Sequence, residues 1–277
     1  MSLADLPPLR EALAEHGLMA KKAFGQHFLL DLNITRKIAR LAQVGDGERV
    51  LEVGPGPGGL TRALLETGAQ VTAVEKDERF RPLLEDLARA AAPGALALRF
   101  ADALAADEAE LLGGPGHVVS NLPYNVGTAL LIKWLTGPWT PKSMTLMFQK
   151  EVAQRITAPV DGDAYGRLAV IVQAASDAQT LMDVPARAFT PPPKVESAVV
   201  RLTPRHDRPA PQRLDALQKL TAAAFGQRRK MLRASLKALG GEPLIEAAGL
   251  DPQARAETVD VAGFLRLADA WMAAGLR

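Results

Sequence analysis

The 277 residues contain three asparagines and two tyrosines, and Asn121, Tyr124 and Asn125 all fall within "NLPYN". The stretch follows the apolar run "HVVS", where a strand would end. An amine on an aromatic base is a poor nucleophile, because its lone pair is delocalised into the ring. Acceptors on its two N–H groups favour a pyramidal nitrogen and free that lone pair. The Asn121 side-chain oxygen and the Leu122 carbonyl, with Pro123 holding the chain open, can be those acceptors. Tyr124 can stack on a base taken out of its helix. The plain alternative is a strand-end turn in which the asparagine caps and the tyrosine packs. Four consecutive residues, each with a chemical use, favour the site.

Upstream, "LEVGPGPGGLT" places Gly54, Gly56 and Gly59 at a strand-to-helix turn, formally G-x-G-x-x-G. Such a turn lets a ligand approach the backbone at the C-terminal edge of a sheet. Glu75 follows Gly54 by 21 residues at the end of the next strand-like run. There a carboxylate can accept from both ribose hydroxyls. A dinucleotide and another adenosine-containing ligand both fit this pattern. Pro55 and Pro57 remove N–H donors that a pyrophosphate would need, which favours S-adenosylmethionine. Asp102 ends a third strand-like run, "ALALRFAD", where it can accept from an adenine amino group. Capping the helix in "ALAADEAELL" is the competing reading of Asp102.

Strand-like and helical segments must alternate for these groups to meet. "RVLEVG", "QVTAVEKD", "ALALRFAD", "HVVSN" and "KSMTLMFQ" read as strands. The segments between them have helical period. Helices are also predicted near Leu9–His16 and Asn33–Val44, the latter capped by Asp31. The pattern predicts an α/β fold, a doubly wound and mostly parallel sheet of Rossmann-like type. Proline-rich "PRHDRPAPQ" reads as a linker, giving domains 1–204 and 205–277, the second small and all-helical.

Composition narrows the chemistry. The chain is 48% hydrophobic and 23% charged, enough for a substantial core. With no cysteine, thiol nucleophiles and zinc–thiolate sites are excluded. The four histidines are scattered, so no metal is expected. No apolar run nears the ~20 residues of a membrane span and no signal peptide is evident, so a cytoplasmic protein is expected. The net charge of +2 hides a belt from Lys194 to Lys237 with eleven basic residues against three acidic ones. Such a belt suits a polyanion partner.

Over most of its length the sequence resembles the ribosomal RNA adenine dimethyltransferase family, and its small-subunit branch best. The resemblance rests on nine segments in family order: "KKAFGQHFL", "LEVGPGPGGLT", Glu75, "ADAL", "NLPYNV", "FQKEVAQRI", "AYGRLAV", "FTPPPKVESAV" and "AFGQRRKMLRASL". It implies dimethylation of two adjacent adenosines near the 3′ end of 16S rRNA, within an assembling small subunit, by a monomer. It implies contacts to S-adenosylmethionine from His27, Leu29, Gly54, Glu75, Asp102 and Asn121. The family usually has asparagine where His27 stands. Asn121, Leu122, Pro123 and Tyr124 would hold the target adenine, with Phe189 stacked on its other face.

Arg228, Arg229, Lys230 and Arg233 fall in the last of these segments, Lys237 directly follows it, and all five are expected to bind RNA. Arg229, Arg233 and Lys237 recur at helical spacing, with Leu232, Leu236 and Leu239 on another face. Fixed cations grip phosphates without reading bases. Two other classes compete: a non-catalytic RNA-binding assembly factor, and an NAD-dependent oxidoreductase suggested only by the glycine pattern and Glu75.

Overall fold

The computed structural model describes residues 2–18, 27–227 and 229–275. Arg228 and residues 21–26 of "KKAFGQHFL" lie outside the described residues. The chain divides into two compact units. One comprises Met1–Leu131, Trp139–Ala153 and Thr180–Leu202; the other comprises Ile132–Pro138, Gln154–Gln179 and Thr203–Arg277.

The chain opens with α1 (Leu9–Glu15), β1 (Phe28–Leu29) and α2 (Leu32–Ala42). Asp31 caps α2 as expected, accepting from the Asn33 N–H. Strand and helix then alternate: β2 (Arg49–Val53), α3 (Gly59–Leu65), β3 (Gln70–Glu75), α4 (Arg81–Ala90), β4 (Leu96–Phe100), α5 (Glu108–Leu112), β5 (His117–Asn121), α6 (Gly127–Thr136), β6 (Ser143–Gln149) and α7 (Lys150–Ile156). The cap of α5 is Asp107, which accepts from the N–H groups of Ala109 and Glu110. That removes the helix-cap reading of Asp102.

Then come α8 (Arg167–Ala175), β7 (Ser176–Val184), β8 (Phe189–Thr190) and β9 (Ser197–Pro204). The seven-stranded sheet has the order β4-β3-β2-β5-β6-β9-β7. Its first five strands are parallel, and β9 pairs antiparallel with β6. The apolar runs of β2, β3, β5 and β6 are buried along almost their whole length, as helices on both faces of a parallel sheet require. Each fully buried leucine or valine there stabilises the fold by about 1.5–3 kcal/mol. From β2 the chain winds outward through β3 to β4, then returns to start β5 on the other side of β2. Strand order reverses at β2 and β5, where open α/β sheets leave a crevice at the strand ends.

His117 belongs to the opposite edge. Its Nδ1 lies 2.8 Å from the Ser143 hydroxyl and its Nε2 lies 3.2 Å from Glu48 Oε1, tying together the starts of β2, β5 and β6.

The second unit is helical: α8 with α9 (Pro211–Gly226), α10 (Leu232–Ser235), α11 (Gly241–Ala247) and α12 (Val261–Ala273). Leu214, Leu217, Leu220, Phe264 and Leu267 fill its interior. Tyr165, from the motif "AYGRLAV", is a core residue. Its hydroxyl donates to the Val259 carbonyl at 3.0 Å, and its ring packs edge-on against Phe225. Among the described residues no helix is long and apolar enough to cross a membrane. None of their His, Asp and Glu clusters could hold a metal ion.

Candidate active site

A cavity of about 1060 Å³ opens at the C-terminal ends of β2, β3 and β5 and beside β1. It brings together His27, Leu29, Gly54, Glu75, Asp102 and Asn121 through Tyr124. The sequence placed these residues on five separate segments, and the fold makes them neighbours.

Backbone geometry requires the glycine turn. Gly54 and Gly56 have φ of 70° and 54°, in the left-handed region. A Cβ on Gly54 would stand 3.2 Å from Pro123 Cγ, so the turn after β2 and the "NLPY" turn after β5 touch there. Hydrogen bonding within the turn separates the two ligand readings. The Gly54 N–H donates to the Val74 carbonyl, Gly56 to Glu75 Oε2 at 3.0 Å, and Gly58 to the Pro55 carbonyl. Pro55 and Pro57 have no N–H. From 54 to 58 no backbone donor is left for a pyrophosphate, whereas an adenosine ligand without phosphate needs none. Glycines leaving room beside β2, the apolar Val53 and Val74, and a carboxylate at the end of β3 fit S-adenosylmethionine.

Glu75 is 8% exposed. Its Oε1 accepts from the Asp77 N–H at 2.8 Å. Burial raises its pKa above the ordinary carboxylate value, and the N–H groups of Asp77, Gly56 and Lys76 oppose that rise. A ribose diol would add two donors to a carboxylate whose oxygens have further lone pairs to accept with. Asp102 lies two residues beyond β4 and is more exposed. Its Oδ1 accepts from the Leu104 N–H at 3.0 Å and its Oδ2 from Lys76 Nζ at 2.8 Å. It therefore shapes the turn that carries Leu104 to the cavity wall.

At the end of β5, Asn121 is half-buried and Leu122 is 2% exposed. Pro123 cannot continue the ladder, and its carbonyl accepts from Val126 and Gly127, turning the chain into α6. Tyr124 is half-buried and its hydroxyl lies 3.1 Å from Ser197 Oγ. The His27 ring stands 6.4 Å from that of Tyr124, centroid to centroid, tilted by 31°.

Phe189 departs from expectation. It is 2% exposed, pairs with Leu29 across β1 and β8, and packs into the core with Val184 and Val199. It is not among the cavity-lining residues. An apolar ring on a paired strand gains more by burial than by waiting at a wet edge.

Sequence reasoning also missed Glu52. It lies inside β2, 1% exposed, on the cavity wall. Burial pushes its carboxyl up to about 8, with Thr61 on α3 opposing and the Glu75 charge adding to the rise. Its Oε2 and Thr61 Oγ1 complete no hydrogen bond with a described residue. The signal was available: a lone carboxylate in the apolar run "RVLEVG".

The basic residues Arg229, Lys230, Arg233 and Lys237 are exposed, but no single helix presents them. The α9 helix ends at Gly226 and α10 starts at Leu232. Met231 bridges to Arg255, and the Leu232 N–H donates to the Ala254 carbonyl, which draws the chain out of helical geometry. Arg229 precedes α10, Arg233 lies on it, and Lys237 sits in a following 3₁₀ turn.

A doubly wound sheet with Glu75 and Asn121 to Tyr124 lining one cavity at its strand ends is that of a Rossmann-like, S-adenosylmethionine-dependent methyltransferase. The ribosomal RNA adenine dimethylase profile matches residues 17–272. The chain is 80% identical to the ribosomal RNA small subunit methyltransferase A of Phenylobacterium zucineum, over 99% of this chain and 95% of that one. Two crystal structures are similar. A dimethyladenosine transferase from Plasmodium falciparum has a TM-score of 0.74 at 24% identity, covering 90% of this chain and 99% of that one, and shows the fold. The 23S rRNA methyltransferase ErmE has a TM-score of 0.65 at 28% identity, covering 88% and 99%. The chain belongs to the ribosomal RNA adenine dimethylase family.

Proposed function

We propose that the chain methylates the N6 amines of two adjacent adenosines near the 3′ end of 16S rRNA, giving N6,N6-dimethyladenosine in an assembling small subunit. The enzyme is an S-adenosylmethionine-dependent rRNA adenine dimethyltransferase. The 80% identity to a small-subunit enzyme supports the choice of RNA. The observation that carries the chemistry is Asn121 at the end of β5, two residues before the Pro123 that meets the glycine turn, and on the wall of the same cavity as Glu75.

When bound, S-adenosylmethionine supplies an electrophilic methyl group on its sulfonium. The residues of the chain position and polarise. Glu75 accepts from the ribose hydroxyls, Leu29 and Gly54 shape the wall, and His27 and Asp102 bound the pocket. Asn121 Oδ1 and the Leu122 carbonyl accept from the target amine and direct its lone pair at the methyl carbon. Transfer to the amine would leave S-adenosylhomocysteine as product and release one amine proton to water. Tyr124 stacks on the flipped base. Residues 205–277 form an RNA-binding domain, in which Arg228, Arg229, Lys230, Arg233 and Lys237 grip phosphates. Action as a monomer, in the cytoplasm with its substrate, is part of the same proposal.

The test is to incubate the protein with methyl-labelled S-adenosylmethionine and undermethylated small subunits, then map the label. Dimethyladenosine at two adjacent positions near the 3′ end is expected. Label elsewhere, or monomethyladenosine alone, would overturn the substrate assignment.

A further inference from the structure

The motif "FTPPPKVES" runs beside the cavity, yet its aromatic residue Phe189 is buried away from it. Its remaining residues make two contacts to the rings that flank the cavity. The Pro191 carbonyl lies 2.7 Å from His27 Nδ1. A carbonyl can only accept, so that nitrogen carries the hydrogen. Six residues on, the Ser197 hydroxyl bonds the Tyr124 hydroxyl at 3.1 Å. Ser197 is 0% exposed and begins β9, in register with Gln149 of β6. Its neighbour Glu196 accepts twice from Lys150, from the backbone N–H at 2.9 Å and from Nζ at 3.1 Å. Lys150 also pairs with Asp183 at 2.8 Å. Ser197 is thus held by a sheet register and an ion-pair network, whereas Tyr124 sits in an irregular turn with one face on the cavity.

We propose that Ser197 is a positioning residue for methyl transfer, fixing the Tyr124 ring at the angle that receives the target base. This rests on the reading that Tyr124 stacks on that base. A tyrosine side chain in a turn has more than one staggered rotamer open to it, and a bond at its far end selects one. The only polar atom at that end is the hydroxyl, which contacts Ser197. The hydroxyl contributes nothing to stacking, so anchoring is the role the geometry leaves it.

The experiment is single-turnover methyl transfer to undermethylated small subunits at saturating cofactor and subunit, for Ser197→Ala, Tyr124→Phe, the double variant and Tyr124→Ala. Ser197→Ala and Tyr124→Phe each remove one neutral hydrogen bond and should slow transfer about 3- to 10-fold. The double variant should be no slower than either single one, because both break the same bond. S-adenosylhomocysteine affinity, which follows the cofactor side of the cavity, should be unchanged throughout. Wild-type rates for both single variants, or effects that multiply in the double variant, would overturn the positioning role. If those occur while Tyr124→Ala is slow, stacking stands and the Ser197 role alone falls. An unaffected Tyr124→Ala would overturn both.

Discussion

The cavity edge and the basic C-terminal segment solve different physical problems, and their construction differs accordingly. At the cavity, the groups stand at or beside strand ends, and the carboxylates are held by directed bonds. Glu75 accepts backbone N–H groups at 2.8 and 3.0 Å, and a Cβ on Gly54 would stand only 3.2 Å from Pro123 Cγ. In the basic segment, Arg229, Lys230, Arg233 and Lys237 project from a turn, a short helix and a 3₁₀ turn. None of the four makes an ion pair with a described residue. Methyl transfer requires in-line geometry and prepaid orientation. Holding a polyphosphate requires only charge of the right sign, and tolerates mobile side chains. Part of the belt is engaged within the chain. Arg205 pairs with Asp207 and Asp177, Arg213 with Asp269, and Arg208 donates to the carbonyls of Leu135 and Gly137.

The sharpest way to break this division is at Asn121. Removing one of two preorganised acceptors in Asn121→Ala should slow single-turnover transfer about 10²–10³-fold. Subunit affinity should hardly change. The second methylation should suffer more than the first, since monomethyladenine has one N–H left to direct. Separating mono- from dimethyladenosine by mass reads both effects, and near-wild-type rates would reduce "NLPY" to a strand-end turn.

Next in size is Glu75→Ala. Loss of charge-assisted hydrogen bonds to ribose should weaken cofactor binding by about 1.5–3 kcal/mol, roughly 10- to 150-fold. Calorimetry with S-adenosylhomocysteine measures it, and unchanged affinity in a folded variant would remove Glu75 from the cofactor site. Replacing Arg229, Arg233 and Lys237 with alanine should instead flatten the salt dependence of subunit binding. The expected change is up to about 0.7–0.9 log units per lost phosphate contact. An unchanged slope would mean that these cations face solvent or protein.

A separate effect, on stability and not on binding or transfer, concerns Glu52. Its carboxyl is harder to ionise in the folded chain, at about 8, than at its ordinary value of 4.5. The folded state therefore holds the proton through a window in which the unfolded chain has lost it. Stability falls as pH rises from about 4.5 to about 8, by at most about 1.4 kcal/mol per pH unit. Glu52→Gln should flatten that fall in denaturant titrations at pH 5, 6, 7 and 8. A wild-type slope in the variant would assign the pH dependence to other groups.

What could be read from the chain depended on how local the cause was. The alternation from β2 to α7 was legible because each strand is an apolar run closed by a turn. Gly54, Glu75, Asp102 and Asn121 were legible because strand ends share one edge of a parallel sheet. The α8–β7 stretch was not read, since "RLAVIVQAA" passes directly into "SDAQTLMDV" with no glycine or proline between them. The single basic helix was a local inference defeated by a distant partner: spacing fits a helix, but the bridge from Met231 to Arg255 interrupts it. Phe189 failed for the same kind of reason, because its pairing with Leu29 reaches across 160 residues of chain.

The division between chemistry and grip is tested most directly by one saturation curve: single-turnover methyl transfer against small-subunit concentration, for wild type, Asn121→Ala and the triple alanine variant. Asn121→Ala should keep the wild-type half-saturation and lose about 10²–10³-fold at the plateau. The triple variant should reach the wild-type plateau, but only at higher subunit concentration. A depressed plateau for the triple variant, or a shifted midpoint for Asn121→Ala, would contradict the account.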